Sequence, residues 1–231
     1  MEGFTYVDIF ATKGIEYLVI IAVLATFVAF WNFLKRPAEA VYQGVANAVS
    51  AIGNWFSLPA QGIFFHQGHT WAAPEDGNIL KAGMDDFAQK MLGKIDSVSL
   101  PQVGAEVTQG EKGWSVQVGP KLFDMLSPVS GKIVAVNENL LQSPAGINSD
   151  PYGQSWLIKV QSPRASSNLK NLLTGDLARR WMDGVRDSLL TRGNYNLGAL
   201  SQDGGVPVDG IARNMDPENW DKLVKDFFLV S

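Results

Sequence analysis

Two histidines, an adjacent pair of aspartates and one turn lysine are the residues of this chain whose types and spacing could do chemistry. His66 and His69 stand at i and i+3, a spacing that would suit a metal on a helix. Both fall in a β-rich stretch, where they would point to opposite faces. With no cysteine in the chain and no evident third ligand, no metal site is expected. Asp85 and Asp86 could be mistaken for paired catalytic carboxylates. At a helix start, adjacent acids act as caps, and no partner acid or base accompanies them in the sequence. Gly119-Pro120 is a turn dipeptide that would set Lys121 at or near an exposed hairpin tip. Gly204-Gly205 reads as a turn rather than a phosphate cradle, and no nucleophile elbow is present. The expectation is a chain with no catalytic residue and no cofactor, and not an enzyme.

The elements that must position these residues are short. Residues 63–162 consist of β-rich stretches separated by Gly and Pro turns, as in a small all-β sandwich or flattened barrel. The exception is Asp85 to Leu92, which reads as a helix with an acidic start and Gly93 at its end. Asp176 to Arg192 reads as a second helix with the stripe Leu177, Trp181, Val185, Leu189, an Arg179–Asp183 pair and Gly193 as a stop. Residues 194–215 look irregular. Asp216-Pro217 then opens a last helix, with Asp216 as N-cap and the stripe Trp220, Leu223, Val224, Phe227, Phe228.

Several blocks stand in a fixed order along the middle of the chain. They are Phe65-His66-Gln67-Gly68-His69-Thr70-Trp71, then Ala82-Gly83-Met84-Asp85-Asp86-Phe87-Ala88-Gln89-Lys90-Met91-Leu92-Gly93, then Leu100-Pro101-Gln102-Val103-Gly104. Ser127-Pro128-Val129-Ser130-Gly131 and Ile147-Asn148-Ser149-Asp150-Pro151-Tyr152-Gly153 follow. Over residues 65–161 the sequence resembles the glycine-cleavage H protein, a lipoyl-type barrel. The resemblance implies a mainly β fold and a swinging-arm lysine in a Glu-Ser-Val-Lys-Ala hairpin, at a fixed distance from the flanking blocks. Counting without a gap from either block lands on Pro120. Gln117, Val118 and Gly119 replace the family's Glu, Ser and Val. Proline has no side-chain amine, so it cannot form the amide to lipoate. Lys121 is one residue out of register, and a one-residue shift in a strand turns a side chain to the other face. A solvated turn lysine is the preferred reading of Lys121, with lipoylation there as the alternative.

Tyr17 to Leu34 is an apolar run in which only Thr26 and Asn32 are clearly polar. As a helix it would span roughly 27 Å, close to the hydrocarbon thickness of a bilayer. Lys35-Arg36 closes it before Pro37, on the wrong side for a signal peptide. The expected organisation is a tail at 1–14, a transmembrane helix at 15–36, an amphipathic linker helix at 37–60, the barrel at 61–163 and a helical extension at 164–231. The linker carries an apolar face ending at Trp55 and Phe56 and no Lys or Arg opposite it, which favours protein contact over a membrane surface. Trp55, Phe56, Phe227 and Phe228 are the candidate partner contacts. A net charge of −4 without a basic stripe excludes a general nucleic-acid surface. These features point to a non-catalytic scaffold or docking subunit of a membrane-bound, respiratory electron-transfer complex. It would be single-pass in the cytoplasmic membrane, with its soluble domain in the cytoplasm and other subunits and the lipid bilayer as partners. The alternative is a membrane-tethered lipoyl carrier modified at Lys121.

Overall fold

A computed structural model describes residues 13–32, 56–59, 61–192, 201–202, 206–207 and 209–230. The chain divides into two compact units, Met1–Asn47 and Ala48–Ser231. In the first, α1 (Lys13–Asn32) is a 20-residue helix of mean hydropathy 2.1, long and apolar enough to cross a membrane. The Thr26 hydroxyl in its second half turns back on its own backbone, donating to Ala22 O at 3.0 Å and Val23 O at 2.8 Å. Trp55, most of the expected linker helix at 37–60, and Gly193 lie outside the described residues.

The second unit is built on two antiparallel sheets. The strands are β1 (Phe64–His66), β2 (Thr70–Pro74), β3 (Ile79–Met84), β4 (Ser97–Ser99), β5 (Glu106–Val107), β6 (Lys112–Val118), β7 (Lys121–Leu126), β8 (Gly131–Val136) and β9 (Ile158–Gln161). Six of them form a sheet in the order β1-β2-β3-β9-β8-β5, and three form a second sheet in the order β4-β6-β7. Alternation along β6 and β7 turns Val116, Val118, Phe123 and Met125 inward, where they join Leu80, Ala82, Ile133, Ile158 and Val160 in one buried cluster. Trp71, fully buried, satisfies its indole N–H by donating to Met84 O at 2.9 Å and Pro151 O at 3.0 Å.

The helices are α2 (Asp86–Leu92), α3 (Glu138–Gln142), α4 (Ala165–Lys170), α5 (Gly175–Arg192), α6 (Ile211–Met215) and α7 (Trp220–Phe228). The short helix α2 follows its sequence signals. Asp85 is the N-cap, accepting from Ala88 N at 2.7 Å, and Gly93 closes the other end. Other details differ from expectation. The inward side of α5 carries Ala178, Met182 and Leu189, with Trp181 and Val185 half-buried against the same core, while Leu177 is 58% exposed, so the expected stripe fails only at Leu177. Arg179 pairs back to Asp176 rather than forward to Asp183, which pairs with Arg186. Asp216 caps a turn, accepting from Glu218 N and Asn219 N, and α7 itself starts later, with Asn219 at its N-cap. The stretch at 194–215 holds α6 and a two-residue strand pair, β10 (Ser201–Gln202) with β11 (Val206–Pro207).

The C-terminal helices share the core of the barrel. Met182, Leu189, Ile211, Val224 and Phe228 belong to the same buried cluster as the strands. Their docking turns on a close backbone crossing. Gly210 N donates to Lys90 O at 2.8 Å, and a Cβ on Gly93 would sit 2.8 Å from both the Cα and the N of Gly210. Gly93 also has φ 73 and ψ −140, a region almost reserved for glycine. Gly93→Ala is expected to cost about 1–3 kcal/mol from backbone strain alone, and to loosen α6 and α7 first. Amide exchange should speed up in those helices while β8 and β9 stay protected. Unchanged exchange in α6 and α7 would mean that the crossing does not hold them.

Candidate functional site

The hairpin between β6 and β7 is the first locus. Val118 pairs with Lys121, which leaves Gly119-Pro120 as a two-residue loop. Gly119 has φ 58, and the proline ring fixes the next φ near −65°. Glycine first with a negative φ second is the pattern of a type II′ turn, suited to the twist of a tight hairpin. Gly119 N donates to Asp96 Oδ2 at 2.6 Å, tying the tip to the segment before β4.

Pro120 thus occupies the exposed loop, and Lys121 is the first residue of β7. Its ammonium lies 3.1 Å from Asp221 Oδ1 on α7. Two residues further along β7, Phe123 packs against Trp220 with ring centroids 5.1 Å apart, and Arg213 lies over the Trp220 ring at 4.9 Å. The hydrogen bond and charge of Lys121 hold the Asp221 carboxyl below the usual carboxylate range. A lowered carboxyl pKa places this tie above the ordinary carboxylate range and removes it as pH falls through the lowered value. The hairpin is therefore held to the C-terminal helices on the side of Lys121. The residues present do not fit a lipoyl-lysine in register, because the loop offers a proline and the adjacent amine is engaged.

The second locus joins residues that sequence reasoning kept apart. β1 ends at His66, and a turn at 67–69 separates it from β2, so the two histidines do not share a strand. His69 sits in that turn with φ 59, is 1% exposed, and meets Asp85 Oδ2 through Nδ1 at 2.8 Å. Asp85 thus has a partner base as well as its capping role. The His69 ring stacks on Phe87 at 4.2 Å and tilts against Trp181 at 4.9 Å. His66 accepts from Gly68 N at 3.0 Å, and burial, with the neighbouring His69, lowers its pKa. Nearby, Tyr152 donates to Ser57 O at 2.8 Å and accepts from Asp86 N at 3.2 Å. Burial and the negative charge of Asp85 push its phenol upward, so it stays protonated. No local sequence signal marks the His69–Asp85 pair, whose members stand 16 residues apart. They become a pair only when β2 and β3 align Thr70 with Met84.

The partner-contact candidates fare differently. Phe56 is half-buried and packs on Phe87 at 5.0 Å. Phe227 and Phe228 are 8% and 0% exposed, with Phe227 5.3 Å from the Phe87 ring. Their expected role in holding a partner is corrected: α7 turns both rings into the core of the barrel. Among the described residues no group of three or more His, Asp or Glu side chains gathers that could hold a metal.

The glycine cleavage H-protein family model matches residues 63–183, a little over half of the chain. The chain belongs to that family. It is 41% identical over 104 residues to the glycine cleavage system H protein of Mycobacterium sp. (strain KMS), covering 45% of this chain and 79% of that one. The Anoxybacillus flavithermus H protein is 40% identical over 120 residues, 52% of this chain and 92% of the relative. The crystal structure of an H protein from Mycobacterium marinum superposes with a TM-score of 0.47 at 31% identity, covering 55% of this chain and 98% of that one. The matched span contains the hairpin, so this H-protein-like domain keeps the family's β fold around a loop without its lysine.

Asp85 serves two buried donors at once, and the site is sensitive to its loss. Asp85→Ala is expected to cost about 2–4 kcal/mol, combining a lost cap of about 1 with a buried imidazole N–H left unpaired. Asp85→Asn, which still caps, should cost less. Denaturant unfolding of the two variants checks this, and equal, small losses would show that the His69 contact contributes nothing.

Proposed function

We propose that this H-protein family member is a membrane-anchored, non-catalytic docking subunit, in place of a carrier. Pro120 in the loop of the β6–β7 hairpin carries the reading. A hairpin with no amine at its tip, tied through Lys121 to α7, offers a rigid surface instead of a mobile arm. The apolar helix α1 supports the anchor, since an exposed stretch of 20 residues at mean hydropathy 2.1 suits a single bilayer crossing. Lys35-Arg36 at its end, against Lys13 at its start, favours a cytoplasmic domain. In this reading the chain holds a soluble module onto integral membrane subunits of a respiratory or other electron-transfer complex. Trp55 and Phe56, between the membrane segment and the barrel in sequence, supply the contact.

Lys121→Ala tests the reading within the assembled complex. The variant should co-purify with an unchanged set of partners and leave the activity of the complex unchanged. Loss of activity with assembly preserved would favour a carrier modified at Lys121.

A further inference from the structure

The turn between β1 and β2 is closed by two hydrogen bonds that both end on His66. His69 N donates to the His66 backbone oxygen at 3.0 Å, and Gly68 N donates to His66 Nδ1 at 3.0 Å. The second bond fixes the state of the ring. A ring nitrogen that accepts from an N–H carries no proton, so the imidazole is neutral with its proton on Nε2. Protonation at Nδ1 turns the acceptor into a donor, and two donors then face each other across the turn. Burial disfavours that charged form and the neighbouring His69 adds repulsion, so the pKa of His66 lies below its ordinary 6.5.

The same turn carries the end of α7. A Cβ added at Gly68 would lie 2.9 Å from Phe228 O and 3.2 Å from both His66 Nδ1 and Leu126 Cδ1. The glycine is thus lodged between the imidazole, β7 and the last turn of α7. His69, the next residue, sets its ring against Phe227 and Phe228, with centroids 6.4 and 6.1 Å away. The nearest groups on the turn do not titrate: Thr70 opposite His66 on β2, Leu126 on β7 and the Phe228 carbonyl on α7. The charged groups stand on the His69 side. Asp85, at the start of α2, meets the His69 ring, while Arg180 and Arg192 of α5 and Asp226 of α7 line a depression with Gln67 and His69. His66 is not in that lining, and His69 is the ionisable group whose charge acts on it.

We propose that this turn is an acid-sensitive latch for the C-terminal helix. Protonation of His66 breaks the bond from Gly68 N, the turn opens, and the end of α7 loosens from the barrel. Phe227 and Phe228, buried while the latch is closed, are the rings that its opening frees. The closed form holds the neutral imidazole. The hold on α7 is therefore complete above pH 6.5 and is lost as pH falls through the lowered value of the folded chain. The Lys121–Asp221 tie persists over the same range, because the Asp221 carboxyl lies below the usual carboxylate range. The latch depends neither on the loop at Pro120 nor on the docking role.

Amide exchange of the full chain in detergent micelles reads the latch at about pH 7.5 and about pH 5, each rate corrected for the intrinsic pH dependence of exchange. His66→Asn is the second arm. Asparagine bonds its own backbone two residues on, so its Oδ1 can accept from Gly68 N, and it does not titrate. In the native chain, protection of the α7 amides is expected to fall at least about fivefold on acidification, while β8 and β9 stay protected. Fivefold corresponds to about 1 kcal/mol, the scale of one net hydrogen bond. In His66→Asn the protection of α7 should not change between the two pH values. No fall in the native chain, or a fall of the same size in His66→Asn, would overturn the proposal.

Discussion

Where Gly210 crosses the end of α2 at Gly93, two stretches of backbone meet with no side chain between them, and the arrangement of this molecule follows from that contact. The crossing lets α6 and α7 lie against α2 and along β7. From that position Trp220 reaches Phe123, Asp221 reaches Lys121, and Phe227 reaches Phe87. A side chain at Gly93 would push the helices away, and each of these contacts would weaken together. The hairpin that elsewhere in the family bears a lysine is here packed against the chain's own C-terminal segment.

That packing gives the substitution at Pro120 a physical setting. A carrier hairpin must present its lysine free of neighbours, because the arm has to travel. A hairpin fixed by Asp96 at its tip and by Asp221 beside it meets the opposite requirement. Proline suits such a loop, since it locks φ and needs no donor where none would be satisfied. The loss of the amine and the bracing of the strand behind it are two sides of one local arrangement.

The sequence was most legible where the rules are local. Asp85 as a cap, Gly93 as a stop, and Gly119-Pro120 as a hairpin loop each depend on residues within a few positions, and the fold bears them out. The blocks shared with H proteins placed the barrel. The rest needed contacts between distant residues. His69 and Asp85 stand 16 residues apart and meet only because β1 breaks into a turn before β2. The stripe of α5 was misread only at Leu177, because Ala178 and Met182, which take inward positions, are less conspicuous than a leucine. Phe227 and Phe228 looked like a surface to be covered by another subunit, since periodicity shows an apolar face without showing what it faces. The barrel supplies that cover through Phe87 and the His69 ring.

The central claim is chemical: this H-protein-like domain carries no arm. Intact-mass measurement of the chain, produced alongside an active lipoylating enzyme that modifies an ordinary H protein in the same cells, tests it directly. The account predicts the mass of the unmodified polypeptide. A species heavier by one lipoyl group, mapped by fragmentation to Lys121, would contradict it and make the chain a carrier.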